Sequence, residues 1–392
     1  MAVAADANRW RVANLALAKI AARGDNLTAM SKHLAGRIYA EGPITVAEFM
    51  AEALYHPVHG YYMTRDPFGS EGDFTTAPEI SQMFGELVGV WCVERWQAMR
   101  RPESIHLLEL GPGRGTMMCD VLRAASAQPE FVSAVSIHLV EVSAVLRERQ
   151  RAALVKSVIP VDSMHWHSGL ETLPSGPLLV FANEFLDALP IQQFERTAEG
   201  WCERLVTKDE TGFHFLLSAL LPSSETAIPR VIDEGSDIGA IFETRPDAIK
   251  IARQIAAHIS QHGGAALFID YGHEVSCVGD TLQAVRGHAK CDLLSEPGSA
   301  DLTAHVDFDA FGQAACDLVD VHGPVTQGNF LKWLGIDLRA ENLARNATKR
   351  ATNDISAAYH RLVDNDQMGS LFKVIALTNR DIEAPPGFTD AP

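Results

Sequence analysis

Cysteine is sparse in this sequence, basic side chains are outnumbered, and no long uninterrupted apolar run occurs. Six cysteines in 392 residues, Cys92, Cys119, Cys202, Cys277, Cys291 and Cys316, form no CxxC pair and no dense framework. Reduced thiols in a cytosol-like compartment are the economical reading, rather than a disulfide-stapled secreted chain. Lys and Arg number 33 against 50 Asp and Glu, a net charge of −17. That balance excludes a general positive field for gripping phosphates, so no nucleic-acid partner is expected. No run reaches the roughly 18 apolar residues of a spanning helix, so no membrane insertion is expected. Neither a GxSxG elbow nor a Walker-type loop occurs, which weakens hydrolase and phosphoryl-transfer readings. His288, Cys291, Asp292, Asp301, His305 and Asp307 are of metal-binding types. Their spacing matches no standard zinc pattern, and no metal is expected. Internal repeats and low-complexity tracts are also missing.

What is present is apolar material, 47% of residues, enough for a large core. The first 30 residues place Arg9, Arg11, Lys19 and Arg23 among alanines, faintly like a transit peptide, but Asp6 and Asp25 interrupt them; an ordinary helical N-terminus is expected. "ITVAEFMAEALYHP" sets Val46, Phe49, Met50 and Leu54 on one helical stripe with Thr45 as N-cap. From Pro78 a second amphipathic helix is predicted, burying Ile80, Met83, Phe84, Leu87 and Trp91. After Ile105 the texture changes to short apolar strands alternating with helices, near 105–110, 135–141, 156–161, 177–182 and 265–270. That alternation predicts an α/β fold with a mostly parallel twisted sheet flanked by helices. "WCERLVTKDETGFHFLLSAL" reads as an inserted antiparallel hairpin within about 192–220, and "LFKVIALT" as a late strand returning to the sheet. The expected division is a helical extension over 1–100, a core over 101–272, an insertion over 273–328 and a C-terminal part over 329–392.

Three glycines fall within five residues of "LLELGPGRGT", between a predicted strand and a predicted helix. Glycine there lets a ligand approach the backbone beside the positive end of the helix. Gly111, Gly113 and Gly115 give GxGxG, with Thr116 where the third glycine of a dinucleotide fingerprint would fall. Glu109 lies two places before the turn, and Glu141 ends the next strand, where a carboxylate can accept from ribose hydroxyls. An acid before the turn favours a cofactor with a positive end, such as S-adenosylmethionine with its ammonium and sulfonium. A dinucleotide enzyme and a purely structural turn remain the alternatives.

"PLLVFANEFLDALP" passes from five apolar residues to Asn183, Glu184 and Asp187. Polar groups beyond the carboxyl end of such a strand face the ligand crevice of an open α/β sheet. If a helical turn begins at Asn183, Glu184 and Asp187 share a face and can grip a guanidinium or an ammonium. The bland alternative has Asn183 and Asp187 capping local backbone and Glu184 solvated. "ALFIDYGH" repeats the pattern with Asp270, Tyr271 and His273; His273 is a base or a hydrogen-bonded structural residue.

With these residues in hand, the chain resembles the MidA-type class I methyltransferases, relatives of the mitochondrial arginine methyltransferase needed for complex I assembly. The matching motifs run in order from "FMAEALYHPVHGYY" and "GDFTTAPEISQMFGE" through "ELGPGRGTMMCDVLR", "NEFLDALPIQQF", "IDYGH" and "RGHAKCDLLSEPGSADLTAHVDF" to "QGNFLKWLGI" and "MGSLFKVIALT". The resemblance implies a Rossmann-like core and S-adenosylmethionine as cofactor, with Gly111, Gly113 and Gly115 as the cofactor turn, Glu141 as the ribose acid, and Asn183 and Glu184 at the edge of the substrate site. For such a reaction we further expect Glu109 beside the cofactor and Phe74 to Glu79, with Thr76, Pro78 and Glu79, as a lid over it. Glu184, with Asp187, would grip the acceptor, assisted by Asp270 or His273. It further implies a protein substrate, a complex I subunit or a similar protein, and a homodimer is possible. The compartment implied is the cytoplasm in a bacterium or the mitochondrial matrix in a eukaryote. A non-catalytic assembly factor on the same fold and a small-molecule methyltransferase are the competing functions.

Overall fold

The structure is a computed structural model describing residues 27–64, 75–155, 157, 159–160, 163–221, 228–380 and 382–388. The expected N-terminal helix and Phe74 of the expected lid lie outside these residues. Helix α1 (Ala29–Glu41) is capped by Thr28, whose hydroxyl accepts the Ser31 N–H. Strand β1 (Ile44–Thr45) runs into α2 (Val46–Tyr55). Thr45 Oγ1 accepts the Glu48 N–H at 3.1 Å while Glu48 Oε2 accepts the Thr45 N–H at 2.9 Å, a capping box that fixes the helix start. Val46, Phe49, Met50 and Leu54 are buried, as their spacing predicts. The helix predicted from Pro78 is broken at Ser81, whose φ of −161° is extended, into α3 (Ala77–Ile80) and α4 (Gln82–Ala98).

The chain continues through β2 (Ile105–Leu110), α5 (Thr116–Ala125), β3 (Val135–Val140), α6 (Ala144–Leu154), β4 (Met164–His167) and β5 (Leu178–Asn183). Of the strand expected at 156–161, residues 156, 158 and 161 lie outside the described residues; the described strand at this edge is β4, whose pairing with β3 begins at Met164. Next come β6 (Gln192–Arg196), β7 (Trp201–Lys208), β8 (Phe213–Leu220), β9 (Ile241–Thr244), α7 (Pro246–His262) and β10 (Gly264–His273). The final part holds β11 (Gln283–Arg286), β12 (Ala289–Cys291), β13 (Asp301–Thr303), β14 (Val306–Asp307), α8 (Phe308–Ala315), β15 (Asp320–Thr326), α9 (Ile336–Ala344), α10 (Lys349–Val363) and β16 (Phe372–Thr378).

These elements form two interleaved compact units, one of Met1–Pro67, Ala188–Asp247 and Cys277–Ala304, the other of Phe68–Asp187, Ala248–Ser276 and His305–Pro392. The second unit is built on a sheet of order β15-β16-β10-β5-β2-β3-β4, with β14 beside β10. Neighbours from β10 to β4 are parallel, and β16 and β15 add antiparallel at one edge. Leu107, Ile137, Leu139, Phe181, Leu267 and Ile269 of the sheet pack with Phe84, Trp91, Met118 and Val121 of α4 and α5. The two helices come close because Gly85 has no side chain: a Cβ there would lie 2.6 Å from Asp120 Cβ. Strand β2 is followed outward by β3 and β4, whereas β5 returns to its other side. The carboxyl ends of β2 and β5 therefore flank a topological switch point, where open α/β sheets bind ligands.

The other unit carries an antiparallel sheet, β1-β7-β6-β9 with β8 on β7. The expected hairpin is β7 and β8, joined by a turn in which Asp209 Oδ1 accepts the Thr211 N–H at 2.7 Å. It belongs to this five-stranded sheet rather than standing alone. The stretch 273–328 is likewise not one insertion: β11, β12 and β13 form a small sheet in this unit, while β14, α8 and β15 belong to the larger one. Among the described residues no helix is long and apolar enough to cross a membrane.

Candidate active site

The turn after β2 needs glycine at three places. Gly111, Gly113 and Gly115 have φ of 62°, 52° and 82°, the left-handed region that side chains rarely adopt. The turn opens α5, whose N-cap Gly115 offers no side chain to its first N–H groups. Around it lies a cleft of about 390 Å³, open to solvent. Gly111, Pro112, Gly113 and Arg114 of the turn line it, with Thr116 and Met117 of α5 and Glu109 of β2. Thr76, Pro78 and Glu79 line it as well, together with Asn183 and Glu184. Eight residues picked out from the sequence thus converge: Thr76, Pro78, Glu79, Glu109, Gly111, Gly113, Asn183 and Glu184. Gly115 and Glu141 are not among the lining residues, although both are tied to the turn. Glu141 accepts from Ser143 N at 2.8 Å and from Gln150 Nε2 at 3.2 Å, and the same Gln150 nitrogen donates to the Gly113 carbonyl at 2.8 Å.

Glu109 is 3% exposed, and its Oε2 has no hydrogen-bond partner. Burial, reinforced by the nearby Asp120 charge, pushes its carboxyl up to about 8. A buried acceptor without a donor is costly, and Asn183 Oδ1 is a second one in the same cleft. Two unmet acceptors, one of them on an acid, suit a cationic, hydrogen-donating group and not a phosphate. The residues present therefore fit the ammonium end of S-adenosylmethionine.

Strand β5 ends in an unexpected way. No helical turn begins at Asn183; Glu184 takes a φ of 50°, left-handed without being glycine. Glu184 and Asp187 consequently do not share a helical face, which corrects that expectation. The half-buried Glu184 carboxylate accepts the Asn183 side-chain N–H at 2.9 Å and the Ala77 N–H at 3.1 Å, so it seats the first turn of α3 in place of its N-cap Thr76. Burial, with the Asp187 charge adding to it, pushes Glu184 up to about 7. Glu79 on the same short helix accepts from Thr116 Oγ1 at 2.6 Å.

Asp270 is 1% exposed and fully engaged by backbone: Oδ2 accepts from Phe185, Leu186 and Asp187 at 3.1, 2.9 and 3.1 Å, and Oδ1 from its neighbour Tyr271 at 2.9 Å. The whole loop after Glu184 is wrapped around this one carboxylate, so Asp270 organises the site and is not placed to exchange protons. Asp270→Ala is expected to destabilise the protein by about 3–5 kcal/mol, because several buried donors lose their acceptor. A urea titration checks this; unchanged stability with lost turnover would return Asp270 to the chemistry. His273 lies beside Asp307, 3.8 Å away, and Asp307 caps α8 through the Ala310 N–H. His273 does not line the cleft, so the structural reading stands for it.

Sequence reasoning missed Gln150, and it named Tyr271 at the end of its strand without a role. Gln150 lies in no motif; the part each plays is found only when the fold brings it to an acid. The metal-type residues between His288 and Asp307 do not converge among the described residues. Elsewhere His33, Glu52 and His56 bring potential ligand atoms within 4.8 Å of one another. His56 Nδ1, however, accepts the Val58 and His59 N–H groups at 3.2 Å, which leaves the ring proton on the other nitrogen, and Arg37 holds Glu52 at 3.3 Å. That cluster reads as a helix cap.

A glycine turn at the switch point of a parallel sheet, with a buried acid facing it and a second acid after the next strand, defines a class I methyltransferase site. Comparison with known proteins agrees. Residues 87–325 match the family model described as S-adenosyl-L-methionine-dependent methyltransferase. The chain is similar to "Protein arginine methyltransferase NDUFAF7, mitochondrial" of Homo sapiens, 37% identical over 372 residues that cover 90% of this chain and 83% of that protein. The Mus musculus protein of the same name is 39% identical, covering 91% and 86%. A crystal structure from Burkholderia thailandensis with S-adenosyl-homocysteine bound superposes with a TM-score of 0.81 at 29% identity, over 93% of this chain and 95% of that one. The chain belongs to this family of S-adenosylmethionine-dependent methyltransferases.

Proposed function

We propose that this enzyme methylates a guanidinium nitrogen of a protein arginine, with Glu184 as the proton acceptor. The observation that carries the reading is the Glu184 carboxylate: it stands at the end of β5 on the cofactor cleft, with its basicity raised toward neutrality. The names of the relatives, protein arginine methyltransferases, support the acceptor.

Glu109 and Asn183 would hold the ammonium of the cofactor, the glycine turn its methionine backbone, and Glu141, oriented by Gln150, the ribose hydroxyls. Thr76, Pro78 and Glu79 would cover it. S-adenosylmethionine supplies a methyl group on a sulfonium whose departure leaves a neutral thioether. An arginine side chain is protonated at any ordinary pH and its lone pair is delocalised. Glu184 localises the positive charge away from the reacting nitrogen and takes its proton as the nitrogen–carbon bond forms. The product is a methylated guanidinium with the charge it began with.

Glu109→Gln is expected to weaken S-adenosylmethionine binding roughly 10–100-fold, the loss of one charge-assisted hydrogen bond. Calorimetry reads this directly, and unchanged affinity would remove Glu109 from the ammonium site. The acceptor indicated by the family resemblance is a complex I subunit. The compartment would be the mitochondrial matrix in a eukaryote, as for the relatives named mitochondrial, and the cytoplasm in a bacterium. Mass spectrometry of complex I from cells with and without the protein tests this: a methylarginine lost with the protein is expected, and an unchanged pattern would exclude complex I.

A further inference from the structure

Tyr271 donates its hydroxyl to Asp187 Oδ2 at 2.7 Å. Its ring meets His305 and Phe372 edge-on, with centroids at 5.6 and 5.4 Å, and its own N–H is bonded to Asp270. The reach of the hydroxyl is therefore fixed by packing on β10 and β16. Asp187 is 5% exposed and is not among the residues lining the cleft, so it is set back from the cleft that Glu184 lines. Its charge nevertheless acts on Glu184. A carboxylate buried next to a second carboxylate loses its charge unless a donor holds it.

We propose that Tyr271 is a positioning residue for methyl transfer: its hydroxyl holds the Asp187 carboxyl in place on the loop after β5, and through Asp187 it acts on Glu184. The inference rests on the reading of Glu184 as proton acceptor. The charged and titratable groups around the pair come from several elements. Glu184 itself is on the loop, Asp270 on β10 and His305 just before β14. Arg361 on α10 carries a positive charge that acts on Glu184 in the opposite sense. Lys373 of β16 is opposite Asp270 in register, but its ammonium is directed to the Ser370 carbonyl and lies 3.9 Å from Glu274.

The test separates a structural tyrosine from one that acts through Asp187. In protein labelled with 13C at the Asp carboxyl carbons, the Asp187 signal is assigned by its loss in Asp187→Asn. Its titration is then compared with that in Tyr271→Phe. Loss of the donor is expected to raise the midpoint by about one to two units, since a hydrogen bond to a charged group favours the charged form by that much. In parallel, Tyr271→Phe is expected to lower turnover roughly tenfold, a loss of about 1.4 kcal/mol of transition-state stabilisation, with S-adenosylmethionine affinity unchanged. Added to Asp187→Asn it is expected to cause no further loss, because both variants break one chain of action. An unmoved Asp187 midpoint or additive losses would overturn the proposal. Should the Phe variant fail to fold, 3-fluorotyrosine at position 271, a stronger donor of nearly the same shape, is expected to lower the midpoint, and no change would count against it. The carboxyl titration needs no acceptor. Full turnover in Glu184→Gln would sink the proton-acceptor reading on its own, whereas a fixed Asp187 midpoint beside an essential Glu184 would sink only the role of Tyr271.

Discussion

Gly113→Val is expected to abolish measurable S-adenosylmethionine binding in a protein that still folds. Gly113 holds a φ of 52°, and a β-branched residue there is a genuine backbone outlier. The turn would have to leave the left-handed region, and with it the carbonyl that accepts from Gln150 would move, breaking the link to Glu141. The expected loss exceeds about a hundredfold, or roughly 2.7 kcal/mol. The sheet and its helices do not depend on the substituted atoms, so circular dichroism is expected to stay native. Calorimetric titration decides: native affinity in the variant would mean that the turn does not hold the cofactor.

Glu184→Gln is expected to lower turnover at least about a hundredfold, the lower end of what a positioned acid or base contributes, with cofactor affinity nearly unchanged. Glutamine keeps an acceptor for the Ala77 N–H, so the seat of α3 survives, but it cannot take a proton. The pH profile gives an independent check. With the carboxyl pushed up to about 7, the reactive ionised form grows as pH rises through neutrality, so turnover of the native enzyme is expected to show an acid limb near there. The variant is expected to lose that limb along with the rate. Retained turnover would remove Glu184 from the chemistry; lost cofactor binding would move it into the cofactor pocket.

Much of the site was legible in the sequence because its parts are local. A strand, GxGxG and an acid at the end of the next strand are read along the chain, and β2, the turn and β3 fall where the pattern puts them. The capping box at Thr45 and the hairpin β7–β8 are equally local. The misses share a physical reason, which is that the deciding partner is distant in sequence. A carboxylate at a strand end looks alike whether it moves protons or gathers backbone N–H groups, and only the fold shows that Asp270 does the second. Left-handed Glu184 carries no signal, since that conformation is ordinarily bought with glycine. The strand at the β4 edge was expected earlier in the chain because "SVIP" is the more apolar run, although Pro160 cannot donate to a ladder and the paired residues are "MHWH". Strand β15 was hidden by Gly323 and Pro324 at a register shift between His322 and Val325.

The central claim, that the methyl group reaches an arginine nitrogen through Glu184, is tested most directly by labelled S-adenosylmethionine in a lysate lacking the protein, supplemented with native enzyme or with Glu184→Gln. After hydrolysis of the labelled protein fraction, the account predicts methylarginine with the native enzyme and almost none with the variant. Label in methyllysine, in a carboxyl ester or in a small molecule, or equal methylarginine from both enzymes, would contradict it.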